Sequence, residues 1–228
     1  LYKYQGAGND FLIADNRDAH IRHEDGCLFY TEEGVERQLR ISDICDRRYG
    51  IGADGLMLLD ASDLYDFHMT YFNSDGSGGM MCGNGGRCIV AFAYDCGVLG
   101  DIPEQFQTEA ETMLNHTCNQ NPYDNRRDNV GKTGYLVKYS FTAADGPHEA
   151  YIYEDNQATK IVGLMMKNVQ NAEHYDELEG VAVPSEGYFL DTGTRHYVRF
   201  VENLSQYDIV SEGRDIRYNA PELQPVGA

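Results

Sequence analysis

The stretch Phe72–Gly97 constrains the fold of this chain more than any other part of the sequence. Its first part, Asn73–Gly79, is polar and rich in glycine, which predicts a loop. Its later part, Cys88–Tyr94, is seven uncharged and mostly apolar residues, which predicts a helix that ends with Gly97 just beyond its cap. Because a helix that is apolar on all sides belongs inside a core, we expect the chain to be built around this helix.

The segment Cys82–Gly86 lies at the expected start of the helix. The first turn of a helix carries backbone N–H groups without partners and a partial positive charge, and glycines let an anion approach them. A cysteine at this position has its thiolate stabilised. The sequence therefore predicts a cradle for a carboxylate or phosphate with a reactive Cys82 at its edge. The alternative is a glycine-rich turn with a structural cysteine.

Composition and charge limit the class of protein. The 228 residues suffice for one large domain or two small ones. Acidic residues outnumber basic ones by 37 to 18, and the net charge of −19 argues against nucleic acid and anionic membranes as partners. The six cysteines show no metal-ligand spacing, which favours reduced thiols in a cytoplasmic protein and no bound metal. We expect translation to begin upstream, because the first residue is Leu.

Hydrophobic patterning predicts many strands and few helices. Tyr2–Asn16 is typical of a strand, a glycine loop and a second strand, and the spacing over Val35–Tyr49 predicts a helix. The segment at 101–134 is polar and indicates an insertion, in which Cys118 is incidental. Further strands are predicted around residues 56–59, 67–72, 135–141, 149–153, 161–165, 188–190 and 197–201, with a short helix within 204–213. Helices do not alternate with strands, so a Rossmann-like sheet is unsupported.

Several motifs, taken in order, resemble the diaminopimelate epimerase family. The segment N-S-D-G-S…M-C-G-N-G-G-R-C is similar to that family's first catalytic cysteine loop. K-Y-Q-G-A-G-N-D-F near the start and R-R-Y-G-I-G-A-D-G in the middle are further matches, and D-G-P-H, T-G-T-R-H and G-R-D-I-R are weaker ones. Several ordered motifs are far more specific than a single glycine pattern.

The resemblance implies an α+β fold with two similar halves, each a barrel of mainly antiparallel strands around a central helix. The first half would cover residues 1–134, including the insertion at 101–134, and its central helix would be residues 83–95. The second half would begin at 135 and be incomplete at 228, because the family's second catalytic cysteine and second central helix are not found after Cys118. We therefore expect the sequence to be part of a longer chain.

The resemblance also assigns site residues. Cys82 corresponds to one of two acid/base cysteines, with Gly83 and Asn84 as neighbours that bind substrate through the backbone. Asn9 and Asn73 correspond to side-chain contacts to the amino-acid groups.

Other positions depart from the family's pattern. His196 corresponds to the histidine of the family's G-x-P-H segment, although Arg195 replaces the proline. Thr194 replaces the asparagine often found before that proline. Gly55 stands where many members carry glutamine, so that substrate contact is expected to be lost or replaced.

The implied activity is epimerisation of LL-diaminopimelate to the meso form, in lysine and cell-wall precursor synthesis. Two thiols would exchange a proton on opposite faces of the α-carbon, with no cofactor and with a small amino acid as the only ligand. The alternatives are a related racemase or isomerase on another substrate, or a relative that binds an amino-acid carboxylate without catalysis. If the second half is absent, residues 1–228 alone would be inactive. The sequence leaves the oligomeric state open, with a homodimer as one assembly to test.

Overall fold

A computed structural model describes residues 1–101, 135–156, 159–166, 177–178, 181–182, 187–191 and 195–219. It divides the chain into two compact units, Leu1–Met165 and Met166–Ala228. The fold is α+β, as predicted, with a mixed sheet and few helices among the described residues.

The first unit contains ten strands and two helices in its described part. The strands are β1 (Tyr2–Gly6), β2 (Asn9–Asn16), β3 (Arg22–Glu24), β4 (Cys27–Glu32), β5 (Val35–Arg40), β6 (Gly55–Asp60), β7 (Phe67–Asn73), β8 (Val137–Ala143), β9 (Gly146–Asp155) and β10 (Lys160–Leu164). The helices are α1 (Ile41–Cys45) and α2 (Gly83–Asp95). Helix α2 has the bounds that the sequence predicted.

The main sheet has seven strands in the order β1-β2-β6-β7-β8-β9-β10. Four of its six pairings are antiparallel, while β2 with β6 and β7 with β8 are parallel. Helix α2 contacts β1 at one edge of the sheet and β10 at the other, as well as β2, β6 and β9. The sheet is therefore a half-barrel that curves around α2, which confirms the expected central helix of the first half.

Strands β2 and β6 are buried on both faces. Phe11 and Met57 pack toward the core shared with α2. Leu12 and Leu56 point to a second core, formed with α1 and β4. Successive side chains of a strand face opposite sides of the sheet. A strand that lies between two cores therefore needs apolar residues at consecutive positions. The beginnings of these two strands are thereby fixed beside the N-terminus of α2.

The helix predicted over Val35–Tyr49 is wrong over its first six residues, which form β5. A two-residue turn at Glu33 and Gly34, both with positive φ, folds β5 back onto β4. Leu39 then lies opposite Leu28, and cross-strand pairing outweighs the helical spacing. Only Ile41–Cys45 is helical.

The second unit has two hairpins and a helix in its described part. Its elements are β11 (Glu177–Leu178), β12 (Val181–Ala182), β13 (Gly187–Asp191), β14 (Arg195–Arg199), a 3₁₀ turn (Leu204–Gln206) and α3 (Ile209–Asn219). The predicted halves, 1–134 and 135–228, are a different division from these units, because β8–β10 extend the sheet of the first unit. Most of the predicted insertion, including Cys118, lies outside the described residues.

Candidate active site

Cys82 is the N-cap residue of α2. Its backbone is extended, with φ −115° and ψ 120°, and its carbonyl accepts a hydrogen bond from the Gly86 N–H at 2.7 Å. No side chain caps the helix, and the thiol is free and half-buried. The thiol therefore lies beside the partial positive charge of the first turn, where an anion is favoured.

The other described cysteines lie in different surroundings. Cys88 is in the middle of α2, where burial raises the pKa of its thiol to about 11. Burial also raises the pKa of Cys45, the last residue of α1, and of Cys96 at the C-cap of α2. Cys27 is buried in β4. Of the cysteines in the described part of the chain, only Cys82 lies at the start of a helix.

Asn9 and Asn84 meet beside Cys82. Asn84 is in the first turn of α2 and donates from Nδ2 to Asn9 Oδ1 at 2.6 Å. Asn9, the first residue of β2, donates from its own Nδ2 to Asp54 Oδ2 at 3.1 Å. Arg87, one turn along α2, donates to Asn84 Oδ1 and, from Nε, to the Gly83 carbonyl at 3.3 Å. The structure thus brings together three of the predicted substrate-binding residues, Asn9, Gly83 and Asn84.

A cluster of charged side chains joins β1 and the start of β2 to the segment that precedes β6. Arg47 contacts Asp10 Oδ1 at 2.6 Å and Asp54 Oδ1 at 2.8 Å, and Lys3 Nζ lies 3.0 Å from Asp10 Oδ2. The guanidinium of Arg47 holds the pKa of Asp10 well below its usual range, and Asp10 in turn raises the pKa of Arg47. The Asp54 carboxylate also accepts the Asp10 backbone N–H at 3.2 Å. This cluster holds the Asp54 carboxylate in the position where it accepts the hydrogen bond from Asn9.

Asn73 is the last residue of β7, at the start of the loop that leads to Cys82. Its backbone N–H donates to the Ser77 carbonyl at 2.9 Å, and its Nδ2 donates to Ser77 Oγ at 3.0 Å. Asn73 is also the register partner of Gly55, the residue after Asp54. Asn73 is therefore held at the same ends of the strands where Asn9 and Asp54 lie.

The ring of Tyr71 fills a slot between two glycines. A Cβ atom added to Gly79 would lie 2.0 Å from Tyr71 Cδ1, and one added to Gly55 would lie 2.5 Å from Tyr71 Cε2. Burial, and next the neighbouring Cys82, raise the pKa of Tyr71 to about 12. At Gly55, the Tyr71 ring and the Phe72 carbonyl occupy the space that a side chain would need.

The second unit holds the remaining predicted residues. His196 is an exposed residue of β14 and is the register partner of Leu190. Thr194 lies outside the described residues. Within the described ranges, no group of three or more His, Cys, Asp or Glu side chains is placed to hold a metal ion. No helix in those ranges is both long and apolar enough to cross a membrane.

Sequence reasoning assigned no role to the charged residues that support the site. Lys3 and Asp10 lie in the first glycine motif, and Arg47 and Asp54 lie in the second. Their mutual contacts depend on the pairing of β2 with β6, which sequence spacing does not reveal. Arg87 could have been found, since it lies three residues after Asn84 on one face of a helix.

Comparison with known proteins identifies relatives across nearly the whole chain. The family model described as diaminopimelate epimerase matches residues 1–131. Diaminopimelate epimerase of Flavobacterium psychrophilum is 36% identical over 219 residues, covering 96% of this chain and 62% of that protein. The enzymes of that name from Aquifex aeolicus and Prochlorococcus marinus are each 31% identical, covering 100% and 91% of this chain and 66% and 72% of their own lengths.

A solved structure, that of the Bacillus anthracis phenazine biosynthesis protein of the PhzF family, aligns with a TM-score of 0.45. It is 14% identical, and the alignment covers 90% of this chain and 56% of that one. The chain spans between 62% and 66% of the length of the first three curated relatives it matches.

Proposed function

The chain belongs to the diaminopimelate epimerase family, and we propose that the full-length protein converts LL-diaminopimelate to meso-diaminopimelate without a cofactor. The observation that supports this most strongly is the position of Cys82 as the N-cap of a glycine-rich, buried helix. Its neighbours Asn9 and Asn84 can donate hydrogen bonds to an amino acid.

The chemistry requires removal of a very weakly acidic proton and return of one to the opposite face of the carbon. A thiolate accepts a proton and a thiol donates one, so a pair of thiols can work in both directions without moving the substrate. In the proposal Cys82 serves one face. The negative charge that develops next to the carboxylate is stabilised by N–H groups at the start of α2, which are fixed in place before the reaction.

The second acid/base group of this mechanism would serve the other face of the α-carbon. Cys27, Cys45, Cys88 and Cys96 are placed for packing and not for this task, since they lie in a strand, at the ends of helices or inside one. The catalytic role of His196 and the substrate-binding roles of Asn73 and Thr194 are proposals that rest on the family resemblance.

The proposed setting is lysine and cell-wall precursor synthesis in the cytoplasm, with a small amino acid as ligand and neither nucleic acid nor membrane as partner. The large excess of acidic residues, 37 against 18, supports the exclusion of nucleic acid. A homodimer is the assembly to test first.

The test is an assay of purified full-length protein with LL-diaminopimelate, with and without added pyridoxal phosphate. We expect meso-diaminopimelate to form at the same rate in both assays. Cys82→Ser should lower the rate at least about 100-fold, because a hydroxyl is a far weaker acid than a thiol. Near-full activity of Cys82→Ser, or dependence on the cofactor, would refute the proposal.

A further inference from the structure

We propose that Arg87 and Asp54 are positioning residues that fix the orientation of the Asn84 and Asn9 carboxamides beside Cys82, so that both amides present N–H donors to the substrate carboxylate. The part of this inference that concerns substrate rests on the proposed function. The four side chains form one line of hydrogen bonds, from Arg87 through Asn84 and Asn9 to Asp54, which we call the amide relay.

The two ends of the relay determine its direction. A carboxamide has a donor end and an acceptor end, and its orientation is set by the groups it meets. Arg87 has only donors, so the atom of Asn84 that it contacts must be the oxygen. Asp54 as a carboxylate has only acceptors, so the atom of Asn9 that it contacts must be the nitrogen. The contact between the two amides, 2.6 Å from Asn84 Nδ2 to Asn9 Oδ1, satisfies both conditions.

Neither end of the relay can turn freely. Asp54 accepts from the Asp10 backbone at 3.2 Å and from Arg47 at 2.8 Å, which engages both of its oxygens. Arg87 makes a second contact, from Nε to the Gly83 carbonyl at 3.3 Å. The relay therefore connects the start of β2 to the first turn of α2 through side chains that are fixed at both ends.

The consequence concerns the substrate. Each amide nitrogen carries two N–H groups, and the relay uses one of them, so each amide keeps a second donor. Reversed amides would present oxygens, which repel a carboxylate. Loss of either end of the relay should therefore weaken substrate binding more than it slows the chemical step.

The kinetic test compares Arg87→Met with Arg87→Lys in the full-length protein. Met removes the donors and keeps much of the volume, whereas Lys keeps a donor-only group. We expect Arg87→Met to raise KM about tenfold, the loss of roughly one charge-assisted hydrogen bond, with a smaller change in kcat. Arg87→Lys should restore KM to within about threefold of the wild type. Arg22→Met, which removes an exposed arginine of β3, is the matched control and should leave KM unchanged.

A second readout does not depend on activity. In protein labelled with ¹⁵N-asparagine, Arg87→Met should shift the side-chain N–H signals of Asn9, although Arg87 contacts only Asn84 in the relay. Asp54→Asn should likewise shift the signals of Asn84, and it serves as the test variant where Arg87→Met does not fold. Unchanged signals at the far amide, or Arg87→Met with the KM of the wild type, would overturn the relay. If the signals shift in these variants but the wild-type protein does not turn over LL-diaminopimelate, only the proposed function is refuted.

Discussion

The position of a thiol relative to a helix determines how readily it reacts. Cys82 and Cys88 are six residues apart in one segment, yet the first caps α2 and the second is buried in its middle. Cys82 lies at the electropositive start of the helix, whereas burial raises the pKa of Cys88 to about 11. Two thiols only six residues apart should therefore differ strongly in reactivity.

We expect Cys82 to be alkylated fastest among the described cysteines at neutral pH. Iodoacetamide labelling at several pH values, followed by peptide mapping, gives the rate for each thiol. Cys88, Cys45 and Cys96 are internal controls, because burial raises the pKa of each of them. Labelling of Cys88 or Cys96 as fast as Cys82 would show that the helix start does not activate the thiol.

Asp10 gives the site a pH-dependent stability. The partners Arg47 and Lys3 hold the pKa of Asp10 below its unfolded value, so the folded state keeps this carboxylate charged when the unfolded state does not. The contribution is complete above the unfolded pKa and is lost as the pH falls through the lower, folded value.

Asp10→Asn should therefore destabilise the protein near neutral pH and have a smaller effect in acid. In urea unfolding, the difference in free energy of unfolding from the wild type should shrink as the pH falls below about 4, where unfolded aspartate takes up a proton. Asp63→Asn, at an exposed loop position, is the control and should change little at any pH. A difference that grows toward low pH would contradict the sign of the shift.

Helix α2 ends in a Schellman arrangement, with Gly97 just beyond the cap, the position that the sequence predicted for it. The Gly97 N–H donates to the Tyr94 carbonyl at 3.1 Å, and the Val98 N–H donates to the Ala93 carbonyl at 2.9 Å. Gly97 has φ +68°, and a Cβ atom there would meet no other group within 4 Å. Glycine suits position 97 because of its backbone conformation, and not because neighbouring atoms leave no space for a side chain.

Gly97→Ala should lower the free energy of unfolding by about 1 kcal/mol, because a residue with a Cβ atom is strained in the left-handed region. Gly213→Ala is the matched control in α3, where the backbone is helical and the added methyl group also meets nothing. There, alanine should stabilise by up to about 1 kcal/mol. Thermal and urea unfolding give both values, and equal effects of the two substitutions would contradict this account of the helix end.

The elements that the sequence predicted well are those in which a local signal and the tertiary packing agree. Glycine and apolar runs mark both ends of α2, and the glycine break after Gly6 marks the β1–β2 hairpin. Strand β5 was missed because Val35, Leu39 and Ile44 have helical spacing, and only pairing with β4 makes 35–40 a strand. The Asp25-Gly26 turn between β3 and β4 is a further local hairpin signal, and both of its residues have positive φ.

The residues of the candidate site likewise fall into those that a local motif predicts and those that only the tertiary fold brings together. Cys82, Gly83 and Asn84 follow from one local motif, whereas the contact of Asn9 with Asn84 joins residues 75 positions apart. The link from Asn9 to Asp54 likewise requires the parallel pairing of β2 with β6. Such contacts are set by the fold, and a single sequence does not specify which charged groups will meet.

At the scale of the whole molecule, the proposed mechanism takes from the first unit the acid/base group for one of the two faces of the α-carbon. Its half-barrel surrounds α2 and positions one thiol at a helix start. The first three curated relatives are longer, since this chain spans 62% to 66% of them.

In the proposed mechanism, a protein limited to residues 1–228 should be at least about 100-fold less active than a longer protein that includes the second acid/base group, because loss of one acid/base partner costs on the order of 10²–10⁴ in rate. Circular dichroism and thermal unfolding of both proteins control for folding. Equal turnover by the two would show that both acid/base groups lie within residues 1–228.

The central claim, that Cys82 is one of two thiols acting on opposite faces of the α-carbon, is tested most directly by the position of solvent deuterium. Full-length protein would act on LL-diaminopimelate in deuterium oxide to low conversion, without cofactor, and both isomers would be analysed by mass spectrometry. The account predicts deuterium at the inverted carbon of the meso product, little in the remaining LL substrate, and at least about 100-fold slower formation of labelled product with Cys82→Ser. Equal deuterium in both isomers, or labelling by Cys82→Ser at the rate of the wild type, would contradict it.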